Sequence, residues 1–269
     1  MSLITNIQIC KNILDCFYTS NVIPIVINDS ENNFLSFSSL TLNDAILSIL
    51  SGIVGLYLLV ILLLLKSRYP NWIVRKIVHF SGGTYIAFIA FQFDNILGIL
   101  LAICLFSMIF LTLIIFSKGK IISEYFLLNF REGEKNYTFI VNTTFTLVIL
   151  LISLLVFNNN PAIFTAGALV ISWADTFGEV SGKLFPIIKY RVFNKKSLSG
   201  SFSVFFFSVL AFVITILFYK ISFSPFTIWK ILIGSILCSL FEAISWKWLD
   251  NLILPFIGNL VMFWIIFSI

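Results

Sequence analysis

The sequence predicts an all-α fold, a polytopic transmembrane bundle of about eight helices, and three observations carry that prediction. Of its 269 residues, 59% are hydrophobic and only 11% charged, against about 25% charged in soluble domains. Several apolar runs reach the roughly 20 residues a helix needs to cross the hydrocarbon core. Those runs are continuously apolar, without the period-two alternation of a barrel strand.

The spans predicted in order are Ala45–Leu65, Ile77–Phe93, Ile96–Phe116, Tyr137–Phe157, Pro161–Phe177, Ser201–Tyr219, Phe226–Ile244 and Leu252–Ile269. Residues 1–44 are mixed in character, with Asp15, Asp29, Glu31 and Asp44 against a single Lys11. They read as an extramembrane arm ahead of one transmembrane domain, 45–269. The first basic residue is Lys11 and no clean apolar stretch follows it, so no cleavable signal peptide is expected. The second span carries the pair Gly82-Gly83 and the fifth is the least hydrophobic, which suits both to the bundle interior.

Orientation follows from the basic residues. Loops after the odd-numbered spans hold Lys66, Arg68, Arg75 and Lys76, then Lys118, Lys120, Arg131 and Lys135. The later odd loops hold Lys183, Lys189, Arg191, Lys195 and Lys196, then Lys247, which makes 14 of the 17 basic residues in the chain. The positive-inside rule makes these loops cytoplasmic and sets both termini outside. No internal repeat is evident, which weakens a transporter built from duplicated halves. Cys10, Cys16, Cys104 and Cys238 form no framework and have no ligand spacing around them.

Four polar groups fall at that cytoplasmic face. Asp175 and Glu179 follow an apolar stretch and stand one helical turn apart, so both carboxylates face the same way. A carboxylate in the bilayer centre costs on the order of 3 kcal/mol. Two hard oxygen donors on one face suit Mg²⁺. Gly178 and Gly182 form a G-x-x-x-G pair on an adjacent stripe, the pattern of close helix packing.

Lys195-Lys196-Ser197-Leu198-Ser199-Gly200-Ser201 stands immediately before span six. Ser199 or Ser201 is suited to cap that helix, whose free N–H groups and two lysines would receive phosphate. The same residues also read as a membrane anchor with a capping serine. Arg75-Lys76-Ile77-Val78-His79 precedes span two, with His79, the one histidine in the chain, four residues after Arg75. Beside two cations a neutral ring is favoured, able to bond phosphate or a carboxylate. Glu242 and the later Asp250-Asn251…Pro255 supply oxygens for a cation or hydroxyls, or equally a helix cap with proline in the first turn.

In order, these motifs resemble the polyprenol kinase family, which includes dolichol, phytol and CTP-dependent diacylglycerol kinases and is distantly related to the phosphatidate cytidylyltransferases. The resemblance runs through Arg75-Lys76…His79, Asp175…Gly178…Gly182, Lys196-Ser197…Gly200-Ser201 and Glu242…Asp250-Asn251…Pro255, roughly residues 72–256. It implies transfer of a phosphoryl group from CTP, with Mg²⁺, to a lipid alcohol reached from the bilayer. No nucleic acid partner is implied. Carried over, Asp175, Asp250 and Asn251 would bind the metal. Arg75, Lys76, Lys195, Lys196, Ser197, Gly200 and Ser201 would hold the nucleotide, with Asp175, Glu179 and Lys196 at the reaction itself. The membrane implied is the plasma membrane in a prokaryote and the endoplasmic reticulum or plastid in a eukaryote. Ala174-Asp175-Thr176 stands where many phytol kinases have Gly-Asp-Gly, whereas the Asp-Asn-Leu…Pro stretch matches phytol kinases well. A cytidylyltransferase, or a transporter with Asp175, Glu179 and Glu242 along its path, are the alternative readings.

Overall fold

A computed structural model describes residues 40–66, 68–116, 148–149, 151–157, 160–192, 195–245 and 250–267. The described residues are mostly helical. They comprise α1 (Leu42–Lys66), α2 (Asn71–Ile89), α3 (Ile96–Phe116), α4 (Pro161–Leu169), α5 (Asp175–Leu184), α6 (Leu198–Phe218), α7 (Pro225–Ile244) and α8 (Asp250–Phe267). Residues 148–149 and 151–156 are also helical. All of these lie within one compact unit. The N-terminal arm up to residue 39 and most of predicted span four lie outside the described residues.

Among the described residues two helices, α6 and α7, are long and apolar enough to cross a membrane, with 21 and 20 residues. At 1.5 Å per residue each is about 30 Å long. The helix over Ile96–Phe116 matches predicted span three residue for residue. Span two differs: its helix starts earlier, at Asn71 behind Pro70, and ends in a 3-10 turn over Ala90–Gln92. Pro70 fixes the chain at the helix start, and hydropathy alone does not register a polar first turn.

Span five also differs. The helix does not stop near Phe177 but runs on to Leu184 through a π-helical stretch, Val170–Ala174. Asp175 directly follows that wide turn, a type of bulge frequent at functional sites. A short antiparallel hairpin, β1 (Lys189–Arg191) and β2 (Lys195–Ser197), connects α5 to α6. No alternating apolar run announces it in the sequence.

Hydrogen bonds join alternate helix ends. At one end Asp44 accepts from the backbone of Asp94 and Asn95 at 2.9 and 3.3 Å, tying α1 to the α2–α3 turn. Thr165 on α4 donates to Ala87 O at 2.9 Å and meets the Tyr219 hydroxyl at 2.9 Å. The opposite end gathers the starts of α2 and α6 and the ends of α5 and α7, through the contacts described below. Long apolar side chains face outward on α1, α6 and α7, such as Leu42, Tyr57, Phe202, Leu217, Phe226 and Trp229. Meanwhile Asp44, Lys76, Asn95, Asp175, Lys230 and Asn259 are buried. So many exposed large apolar side chains, beside a mainly apolar core that also encloses charged groups, depart from the pattern of a water-soluble domain.

Candidate functional site

The site is built around the side of α5 that faces α2. Asp175 and Glu179 are one turn apart on α5, and Lys76 reaches both. Its ammonium lies 2.5 Å from Asp175 Oδ2 and 2.9 Å from Glu179 Oε2. Arg75 donates to both Glu179 oxygens at 2.8 Å. Lys183, one turn further along α5, joins the cluster at 2.8 Å from Glu179 Oε1. Lys183 also stands 4.7 Å over the Trp72 ring. Its i,i+4 spacing from Glu179 was readable in the sequence, yet it fell among the anchoring loop residues and was missed.

Burial grades across this cluster. The side chains of Lys76 and Asp175 are 4% and 9% exposed, whereas His79 is 31% exposed. His79 Nε2 lies 3.7 Å from Asp175 Oδ2 and 3.3 Å from Ile171 O. The histidine is thus the accessible neighbour of a carboxylate that is otherwise enclosed. Ion pairs this deep have little water to screen them, so losing one partner leaves a costly charge behind.

A second cluster forms where the hairpin runs into α6. Ser197 caps α6, its hydroxyl accepting from Gly200 N at 3.2 Å. The expected caps Ser199 and Ser201 are used otherwise. Ser199 Oγ lies 3.1 Å from Ser197 Oγ, and Ser201 Oγ lies 2.5 Å from Tyr190 Oη. The helix starts one turn earlier than its apolar run, so the cap moves back with it. Lys196 Nζ pairs with Glu242 Oε1 on α7. Glu242 is held at the end of that helix, where Ser245 donates to its carbonyl at 2.7 Å. Lys195 points outward and is exposed.

Glycines bring the two clusters together. A Cβ on Gly200 would lie 3.0 Å from Gly178 O, and one on Gly182 would lie 3.0 Å from Ser197 Oγ. The Gly178/Gly182 pair is therefore the surface on which α5 meets the start of α6. Lys196, Ser197 and Gly200 stand beside the helix that carries Asp175 and Glu179, although the sequence separates them by about two helical turns and a hairpin. The third group is less connected. Asn251 is half-buried and makes no hydrogen bond to Asp175 or Glu179 among the described residues, and the Asp250 side chain lies outside them.

The donor set bears on a metal. No group of three or more His, Cys, Asp and Glu side chains converges among the described residues. Two carboxylates do converge, and the Lys76 ammonium touching both marks a position from which one cation reaches Asp175 and Glu179 together. Hard oxygens on one helix face suit Mg²⁺, which needs only one or two carboxylates when phosphate and water complete its shell.

Beside the cluster lies a set of rings. Phe177 stacks on Phe207 with centroids 3.8 Å apart and planes 5° apart, and meets Phe80 edge-on at 5.6 Å. Phe80 also lies 5.6 Å from Trp173, whose indole N–H donates to Thr84 at 2.7 Å. All four rings are half-buried. Compared with known proteins, the chain matches no family model, no curated protein and no solved structure.

Proposed function

We infer that this is a multi-pass membrane enzyme that transfers the γ-phosphoryl group of CTP or a related nucleoside triphosphate to a lipid alcohol. The observation that carries this reading is the packing of the Lys196–Ser201 turn against the helix bearing Asp175 and Glu179. That packing joins a cationic helix start to a pair of carboxylates, the two halves a magnesium nucleotide requires. The outward apolar side chains and the resemblance to polyprenol kinases support it further.

In this reading Lys196 and the Ser197–Ser201 turn hold the phosphates, and Arg75 and Lys76 offset charge as it develops. Asp175 and Glu179 would hold Mg²⁺, which supplies neutralisation of the phosphate oxygens. The acceptor hydroxyl oxygen bonds to the γ-phosphorus as its bond to the bridging oxygen breaks, releasing CDP. The hydroxyl proton passes to a carboxylate, Asp175 or Glu179. Positioning and electrostatics account for such a transfer without a covalent nucleophile. The ring set of Phe80, Trp173, Phe177 and Phe207 offers the apolar tail a surface beside His79, so that only its hydroxyl reaches the carboxylates.

Purified protein incubated with γ-labelled CTP, Mg²⁺ and a panel of lipid alcohols tests this directly. Label in lipid that disappears with Asp175→Asn supports the kinase. Label transferred from α-labelled CTP instead would make it a cytidylyltransferase. Ion or solute flux in proteoliposomes, with neither transfer nor CTP binding, would replace both with a transporter.

A further inference from the structure

We propose that the α5–α6 hairpin is a membrane-surface probe that docks on anionic lipid, with Arg191 and Lys195 gripping the headgroup phosphate. The inference rests on the membrane reading above but not on the kinase chemistry.

The charge of this segment is one-sided. Between Glu179 and Glu242 the chain contains no acidic residue, while Lys183, Lys189, Arg191, Lys195 and Lys196 fall within a short stretch after Glu179. Lys183 and Lys196 are matched by Glu179 and Glu242. Lys189, Arg191 and Lys195 are exposed. The register then sets Arg191 directly opposite Lys195 across the two-stranded ladder. Like charges facing each other across a strand pair repel, and an anion between them removes that penalty.

Apolar side chains accompany the cations. Phe185, Ile187, Ile188 and Val192 are 52–68% exposed, and Leu198 at the start of α6 is 51% exposed. Ile188 also has φ of 42°, a left-handed backbone that a β-branched residue rarely adopts. Its side chain is 68% exposed, so packing within the chain does not account for that geometry. The backbone is held there because Leu198 N donates to both Ile187 O and Ile188 O at 3.1 Å. Exposed apolar groups interleaved with unpaired-sign cations fit the boundary where acyl chains meet phosphate headgroups. Water alone rewards only the cations, and the bilayer core only the apolar groups.

The hairpin also touches the site from behind. Tyr190, on the strand between two exposed cations, reaches Ser201 at 2.5 Å, and Lys196 in the partner strand pairs with Glu242. Docking on lipid would therefore steady the cationic turn at the start of α6.

Hydrogen–deuterium exchange of the full chain in nanodiscs tests the proposal. One set is made of phosphatidylcholine alone, and a second replaces about a quarter of it with phosphatidylglycerol, enough to give a negative surface. Exchange over 185–198 is expected to slow in the anionic discs, by about fivefold for each cation engaged. The double variant Arg191→Gln/Lys195→Gln should lose that response while exchange in α6 and α7 stays as in the parent, which reports on folding. Arg191→Lys should keep most of it. Equal exchange in both lipids, or an undiminished response in the double variant, would overturn the proposal. So would inorganic phosphate or CTP giving the same protection in phosphatidylcholine discs, since the pair would then serve a soluble phosphate. Failure to enter nanodiscs at all would strike the membrane reading instead.

Discussion

The ammonium of Lys76 and the carboxylate of Asp175 meet at 2.5 Å across the α2–α5 interface, both nearly closed off from solvent. The two residues are 99 positions apart in sequence, and the pair holds the acidic helix to the first turns of α2.

Removing Lys76 should cost about 3–5 kcal/mol, because the Asp175 charge stays buried, whereas removing the Asp175 charge should cost less, because Lys76 keeps Glu179 at 2.9 Å. Lys76→Met and Asp175→Asn are each expected to lower the unfolding temperature in detergent. The double variant Lys76→Met/Asp175→Asn should recover most of that loss while phosphoryl transfer stays absent. A double variant as unstable as the sum of the singles would mean the two residues are not coupled.

The adjacent glycines of α2 should behave differently. A Cβ on Gly83 would overlap Ser172, whereas one on Gly82 meets only Leu58 at an ordinary 3.6 Å. Gly83→Ala is expected to destabilise by about 1–3 kcal/mol through overpacking. Gly82→Ala should be neutral or stabilise by about 0.5–1 kcal/mol from helix propensity. Parallel thermal melts of the two variants decide it, and equal effects would argue against the α2–π-turn contact.

At the start of α6 the cap is a single hydroxyl. Ser197→Ala should cost about 1 kcal/mol and weaken nucleotide binding, with Ser197→Asp restoring the cap but not the phosphate affinity. Ser199→Ala should change stability little. Melting temperatures and CTP titrations of the three variants separate capping from phosphate recognition. Loss of binding in Ser199→Ala alone would transfer the role to that residue.

For the ring set the readout is kinetic. Phe177→Leu keeps an apolar side chain but loses the stack on Phe207. It should raise KM for a long-chain alcohol several-fold, while KM for CTP and kcat with saturating acceptor stay near parent values. A change confined to the CTP parameters would remove the rings from acceptor binding.

Hydropathy made α3, α6 and α7 legible, because a run that must suit lipid declares its own length. It failed where a helix continues past its lipid-suited part. Asp175, Glu179 and Lys183 look like the end of a span, yet they are helical and matched by Arg75, Lys76 and each other. The candidate acids and bases were visible as residue types, and the predicted spans and basic loops led us to expect them at one face. Their pairing was not visible, since nothing in a linear order says that Lys76 meets Asp175 or that Lys196 meets Glu242. Nor was the cap at Ser197, which depends on a hairpin whose Lys189-Tyr190-Arg191 strand carries no β signature.

The π-helical stretch from Val170 to Ala174 has a consequence for how this molecule tolerates change. A wide turn accommodates one residue more than a regular helix of the same height, so the sequence of α4, buried on every side, and the acidic stripe of α5 are counted in two different phases. Deleting a single residue there would restore regular winding with Asp175 and Glu179 still facing Lys76 and Arg75, whereas the same deletion in a regular turn would rotate them by about 100°. The helix thus behaves as two modules joined by a phase shifter, one answering to packing and the other to charge, and each can drift in sequence without dragging the other along.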